Sequence, residues 1–220
     1  DCDGNLIPDD CDLEEPERDC NDNNILDVCE TSTSDCNNDD LPDSCQEQTS
    51  SIYWTSRISG VFRSDLDGQN VRPVISASVL ESVGVAIDPI AGKIYWADRQ
   101  LDLIRRANLD GSNVEPIAAT PAMGALALAL NPSTDKLYWT YSFGDRIEES
   151  NLSGEGRRSL VTGLVNAAAL AVNPSNGQVY WSEGVNNPYR LRRANADGSD
   201  VQTVVADLGG YASSLELDTN

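Results

Sequence analysis

The 220-residue chain has no histidine, and none of its six cysteines lies beyond position 45. Without histidine it lacks the commonest general base near neutral pH and the commonest transition-metal ligand, which sets aside most familiar hydrolase and zinc chemistries. Basic side chains are scarce, 15 against 36 acidic ones, for a formal net charge of −21. Phosphate backbones and anionic lipid surfaces both require a basic face, so nucleic acid is excluded as a partner. Long apolar runs are missing as well. The longest, near 125–130 and 167–172, fall far short of the ~20 residues a bilayer span needs, so no membrane insertion is expected. The chain opens at Asp1 with neither an initiator Met nor an apolar leader, which reads as a mature form whose export signal has been removed. No Ser/His/Asp or Cys/His arrangement and no phosphate-cradling glycine loop occurs. The expectation is therefore a protein that is not an enzyme, with no catalytic residue.

What is present is unevenly spread. Residues 1–48 hold 17 acidic side chains and one basic one, Arg18, together with all the cysteines; all four tryptophans lie in 49–220. That contrast marks a boundary near the run Thr49, Ser50, Ser51, and two domains follow from it, 1–48 and 49–220. The first has too few apolar residues to bury a core, so something else must order it.

Three segments of that acidic arm superimpose: DCDGNLIPDDCD (1–12), DCNDNNILDVCE (19–30) and DCNNDDLPDSCQ (35–46). Side-chain oxygens recur at loop positions 1, 3, 5, 9 and 12. In the first loop they belong to Asp1, Asp3, Asn5, Asp9 and Asp12, in the second to Asp19, Asn21, Asn23, Asp27 and Glu30, and in the third to Asp35, Asn37, Asp39, Asp43 and Gln46. Odd spacing lets a curled backbone aim alternate side chains inward, and the carbonyls of Ile7, Ile25 and Leu41 fill position 7. A hard cation wanting six to eight oxygens suits this set, and Ca²⁺ tolerates irregular geometry better than Mg²⁺. About three Ca²⁺ ions are expected. If positions 1 and 12 share a metal, the cysteines at positions 2 and 11 come near one another. Pairing within loops is then expected, as Cys2–Cys11, Cys20–Cys29 and Cys36–Cys45, while bridges between repeats or between chains stay open. Disulfides place the protein outside the cytosol, secreted or at the cell surface. The run Thr31–Ser34 reads as linker.

This arm resembles thrombospondin type 3 repeats, and more closely the DCNxNxxPDxC repeats of secreted bacterial proteins, which implies a bacterial source. Loop position 6, usually Gly in that pattern, is Leu6, Asn24 and Asp40 here. Leu tolerates left-handed backbone poorly, so the first loop departs most from the pattern. Gln46 leaves the third loop a neutral closing ligand.

The second domain repeats a single unit. Tyr-Trp occurs at 53–54, 95–96, 138–139 and 180–181, a period of 42 to 43 residues. Such a period signals a propeller or solenoid. Each copy runs from an apolar stretch through a turn (DPIAGK, NPSTDK, NPSNGQ) to Tyr-Trp. An arginine-rich stretch, a second turn (LDGQN, LDGSN, LSGEG, ADGSD) and a further β-rich run follow. Asp-Gly between strand-like runs is a strong hairpin signal, and four antiparallel strands per unit describe a propeller blade.

IYWAD, IRRANLDGSNV and GVAIDPIAGKIYW are similar to the YWTD repeats of low-density-lipoprotein-receptor class B propellers, over nearly all of 51–220. The fourth motif letter is kept only as Asp98; Ser56, Tyr141 and Glu183 replace it elsewhere, so a brace by that Asp must be built otherwise in three blades. The family's propellers have six blades, whereas 49–220 holds four units. The first unit lacks an innermost strand, and 212–220 aligns as a lone innermost strand. Closure of four blades by that C-terminal strand is expected, with two chains sharing a larger ring as the alternative. The fold class expected is thus all-β, a four-bladed YWTD-type propeller closed by its C-terminal strand, behind a calcium-loop, disulfide-stapled arm of little regular structure. Innermost strands carry small residues at alternate positions (Gly84/Ala86, Ala127/Ala129, Ala169/Ala171, Ser214/Glu216), as a tight ring needs. Their partners (Val85/Ile87, Leu128/Leu130, Leu170/Val172, Leu215/Leu217) are expected between blades.

Asp88, Asn131, Asn173 and Asp218 recur at the end of each innermost strand; they are either turn residues or a channel cation site, to which Glu216 adds a carboxylate. Turn roles weigh more heavily. Arg63, Arg106 and Arg193 share one blade position, with Glu149 in the fourth, and offer the acidic arm a complementary surface. Tyr141, Phe143, Tyr189 and Tyr211 are the aromatic residues available to a partner. Asn151-Leu152-Ser153 fits the N-glycosylation pattern. Function follows as a secreted calcium-binding structural protein that assembles with itself, arm to propeller, into a fibre or matrix. The alternative is an extracellular protein- or glycan-binding propeller with the arm as spacer. The partner is itself or another extracellular protein.

Overall fold

The computed structural model describes residues 51–56, 59–76, 82–120, 124–141, 144–185 and 188–218. The eighteen calcium-loop positions, the six cysteines and Phe143 lie outside the described residues.

Alternating apolar and polar residues between turn signals give short strands, gathered into four sheets in chain order. The first blade holds β1 (Ser51–Ser56), β2 (Gly60–Asp65) and β3 (Arg72–Ser76). The second holds β4 (Ser82–Asp88), β5 (Lys93–Asp98), β6 (Leu103–Asn108) and β7 (Glu115–Ala119). The third holds β8 (Ala125–Asn131), β9 (Lys136–Tyr141), β10 (Gly144–Ser150) and β11 (Arg158–Ala167), and the fourth β12 (Leu170–Val172), β13 (Val179–Glu183), β14 (Arg190–Ala194) and β15 (Gln202–Val205). Neighbours in sequence are neighbours in the sheet, so every blade is a meander, and the last three are antiparallel throughout. This is the all-β propeller architecture with four blades. Residues 211–218 form no ladder; they run along the axial cavity, tied to the fourth blade where Ser182 Oγ donates to Ala212 O at 2.8 Å.

The turns follow the residues that make them. In the DG-type turns Gly68, Gly111, Gly154 and Gly198 take φ of +80, +92, +91 and +87, and Asn70, Asn113 and Asp200 are left-handed two residues on. Only glycine adopts such φ without strain, and Asn or Asp tolerates it at the second place.

The core lies between blades. Tyr-Trp faces it in each of the last three: Trp96, Trp139 and Trp181 are fully buried, with Tyr95 and Tyr138 beside them. The pairs are core packing, as one per blade suggests. Small inner-strand residues are required where strands of successive blades meet: a Cβ on Gly84 would lie 2.9 Å from Leu126 O on β8. Val85 and Ile87, Leu128 and Leu130, and Leu170 and Val172 pack into the clusters between blades, as the alternation predicts.

Candidate interaction surfaces: braces, axial cavity and blade faces

The ionisable groups drawn into the blades serve construction. In the fourth blade Glu183, 2% exposed, accepts from Trp181 Nε1 (3.0 Å), Arg192 (3.1 Å) and Arg190 (3.3 Å). The Arg192 guanidinium lies 5.9 Å from the Trp181 ring centroid, so one cation serves both a carboxylate and an aromatic face. The second blade repeats this with Asp98, Arg105 (3.4 Å) and Trp96 (5.6 Å). In the third blade the fourth motif letter is Tyr141. Its hydroxyl accepts from Trp139 Nε1 (2.8 Å) and donates to Glu148 (2.7 Å), which pairs with Arg146 and Arg157, both at 2.7 Å. Arg157 in turn lies over Trp139 at 5.6 Å. The first blade has Ser56 there and no carboxylate, and Phe62 stacks on Trp54 at 5.9 Å where the other blades hold Arg105, Glu148 or Arg192. Charges are added or removed together, which is how three blades keep or dispense with the brace of Asp98.

These environments set protonation. Burial raises the Glu148 carboxyl, but the hydrogen bonds of Arg157, Arg146 and Tyr141 outweigh it and hold the group below its ordinary value. Burial, with the Tyr141 hydrogen bond to Glu148 added, raises the Tyr141 phenol. Tyr138 is pushed up to about 12, chiefly by burial and then by the nearby Glu149 charge. All are structural groups held in one charge state.

Three members of the candidate ring are engaged in their own turns. Asp88 Oδ1 accepts from the amides of Ile90 and Ala91, both at 3.1 Å. Asn131 Oδ1 accepts from Ser133 Oγ at 2.6 Å, and Asn173 Oδ1 from the Ser175 amide at 2.9 Å. These are side-chain caps of tight turns, the role weighed more heavily in the sequence. Among the described residues no cluster of three or more metal-ligating side chains occurs. Asp218 and Glu216 lie on the C-terminal segment, where Glu216 is exposed and lines the axial cavity. Asn151 likewise caps its own turn, accepting from the amides of Ser153 (3.1 Å) and Glu155 (2.7 Å).

The repeated arginine position is occupied from within. Arg106 pairs with Glu115 at 2.7 Å, donates to Leu152 O of the next blade at 2.9 Å, and lies 5.8 Å from the Tyr95 ring centroid. Arg193 donates to Gln178 and Gln202, at 3.4 and 3.0 Å, and Arg63 lies 5.8 Å from the Tyr53 ring centroid. Glu149, the third blade's counterpart at this position, pairs with Lys136 (3.1 Å) and Arg158 (2.7 Å). Tyr141 is buried, while Tyr189 and Tyr211 stack edge-on at 5.7 Å beside the axial segment. The axial cavity, about 800 Å³, is walled by the small inner-strand residues and by residues 213–217.

In three of the four blades a hydroxyl on the Tyr-Trp strand reaches the innermost chain of the next blade or the C-terminal segment. Thr55 Oγ1 donates to Val83 O (3.0 Å), Thr140 Oγ1 to Ala168 O (2.9 Å) and Ser182 Oγ to Ala212 O (2.8 Å). The third motif letter thus ties successive blades, and Ala97 lacks the hydroxyl. This role was missed in the sequence although the signal, Thr, Thr and Ser at one repeat position, is present there.

No family model matches the chain, and no curated protein matches it. Solved structures do. A chain in the crystal structure of a nidogen/laminin complex superimposes with a TM-score of 0.71 at 23% identity, over 77% of this chain and 66% of that one. A putative TolB from Agrobacterium tumefaciens superimposes with a TM-score of 0.58 at 14% identity, over 70% of this chain and 60% of that one. The likeness establishes the β-propeller fold. The chain spans less than two thirds of the length of either.

Proposed function

We propose that this chain is a secreted, non-catalytic protein of the YWTD-repeat kind that makes protein–protein contacts through its propeller, first with copies of itself. The acidic arm, of the thrombospondin type 3 kind, holds calcium. The observation that carries this reading is where the ionisable groups are spent: Asp98, Glu148, Glu149 and Glu183 are all buried in Arg, Lys or Trp braces. Such a framework is rigid, and its recognition surfaces are the axial cavity and the outer faces of blades. The nidogen/laminin structure is itself a complex between proteins, which agrees with a binding role for the fold. Docking of the acidic arm on the repeated arginines loses support, because Arg106 and Arg193 are engaged inside their own blades.

Light scattering on the non-reduced full chain, in calcium and then in EGTA, tests the reading. Particles heavier than one chain of 23.7 kDa are expected. Persistence in EGTA assigns the contacts to the propeller, and dissociation assigns them to the arm. A 23.7 kDa particle in both conditions contradicts self-association.

A further inference from the structure

The arginines of the fourth blade are short of acceptors where those of the third are not. Arg190 and Arg192 stand two residues apart on β14, opposite Glu183 and Trp181 of β13, so all four side chains share one face of the sheet. Trp181 lies in one cluster with Ile147 and Val161, so that face is the one turned to the third blade. Both guanidinium groups converge on a single oxygen, Glu183 Oε1, at 3.3 and 3.1 Å. The Nε of each is buried and donates to no atom among the described residues. The side chains are still 38% and 23% exposed, so neither cation is sealed from a ligand.

The third blade supplies the comparison. Glu148 faces Trp139 there as Arg192 faces Trp181, which makes Arg146 the counterpart of Arg190 and Asp145 that of Tyr189. Two arginines then meet two acids. Arg146 and Arg157 both donate from Nε to Glu148 at 2.7 Å, and Arg146 pairs again with Asp145 at 3.2 Å. The fourth blade sets two arginines against one carboxylate, one positive charge in excess. Asp207, on the loop that meets Tyr189 through the Leu208 amide, accepts from the Gly209 amide at 2.8 Å and pairs with neither arginine. Beside Glu183 the Gly184 amide donates to Val165 O at 2.7 Å, joining the two blades. Val165 and Val185 are exposed, so the excess cation has apolar neighbours at that junction.

We propose that Arg190 and Arg192 form a carboxylate-binding site at the junction of the third and fourth blades, which takes an Asp or Glu side chain of a partner protein segment with apolar neighbours. An incoming carboxylate lets the two guanidinium forks turn toward it. Nε and Nη then donate together in the bidentate arrangement, and the buried donors gain the acceptor they lack. Glu183 keeps the Trp181 indole through Oε2 at 3.0 Å, so the brace beneath the site is retained. The proposal rests on the protein-binding role given above and names the chemistry of one contact.

The test follows the arginine Nε–H signals of the full, isotope-labelled chain by nuclear magnetic resonance as the peptide acetyl-Val-Asp-Val-amide is added. The signals of Arg190 and Arg192, assigned by single substitution, are expected to move together and to saturate. The Val-Asn-Val counterpart and acetate should each bind at least about tenfold more weakly, and Arg190→Gln should lose at least about tenfold in affinity for the acidic peptide. Tyr189→Asp supplies the acid that the third blade has in Asp145, and should close the site to the peptide. Either variant, once shown to be folded by its far-ultraviolet spectrum, carries the test alone. Signals that do not move, that move equally with acetate or the Asn peptide, or that respond in a folded variant as in wild type overturn the proposal. Light scattering on the chain without peptide is unaffected by that result, so this site and self-association fail separately.

Discussion

Replacing Gly154 and Gly68 by alanine compares one turn with and without a neighbouring blade. Both residues are left-handed, at φ of +91 and +80, so each substitution carries the backbone penalty of about 1–2 kcal/mol for an L-residue there. Their surroundings differ. The new methyl at 154 would lie 2.0 Å from Ile117 O and 2.9 Å from Ile117 C, whereas at 68 it meets nothing within 4 Å among the described residues. Ordinary contact needs roughly 3.4 Å or more, so the third blade must move from the second by over an ångström, an overpacking cost of about 1–3 kcal/mol. Gly154→Ala should therefore lose roughly 2–5 kcal/mol and Gly68→Ala roughly 1–2. Urea unfolding followed by tryptophan fluorescence, at a dilution where particles are single chains, reads the difference as a lower midpoint at similar slope. Equal losses would show that the second and third blades do not meet at this turn, and the inter-blade register would be wrong.

Four further outcomes follow. Ala97→Thr supplies the hydroxyl that its counterparts direct to the next inner strand, and raises stability by about 1 kcal/mol in the same assay. Glu183→Ala leaves Arg192, Arg190 and the Trp181 indole without their carboxylate and costs about 3 kcal/mol, while unbracing Trp181 to quenchers. Glu148 has its carboxyl held low in the folded state, so its contribution is present above the ordinary value of 4.5 and is lost as pH falls through the lower folded value. Acid unfolding should shift accordingly, and Glu148→Gln should flatten that dependence. Tyr138 works in the opposite direction: its contribution is complete below pH 10 and is lost as pH rises through about 12, so an ultraviolet titration should show one phenol ionising late, absent in Tyr138→Phe.

The repeat and its turns were legible because they depend on local chemistry. Tyr-Trp spacing gave the blade period, Asp-Gly and Asn-Pro gave the turns, and the small inner-strand residues gave the close approach of β4 to β8. Asp88, Asn131 and Asn173 behaved as turn residues because a carboxylate or amide before Pro is already within reach of the next amides. The braces were not legible. Their carboxylate moves from the fourth motif letter in Asp98 and Glu183 to Glu148 on the neighbouring strand, and only the folded register shows that Tyr141 spans the gap. The repeated arginines looked like open surface because their acceptors, Glu115, Leu152 O and Gln202, lie on other strands or in the next blade.

Electron microscopy of the full non-reduced chain in calcium tests the central claim most directly. The account predicts particles that hold more than one four-bladed propeller in contact through their outer faces. Particles of a single chain at every concentration would contradict it.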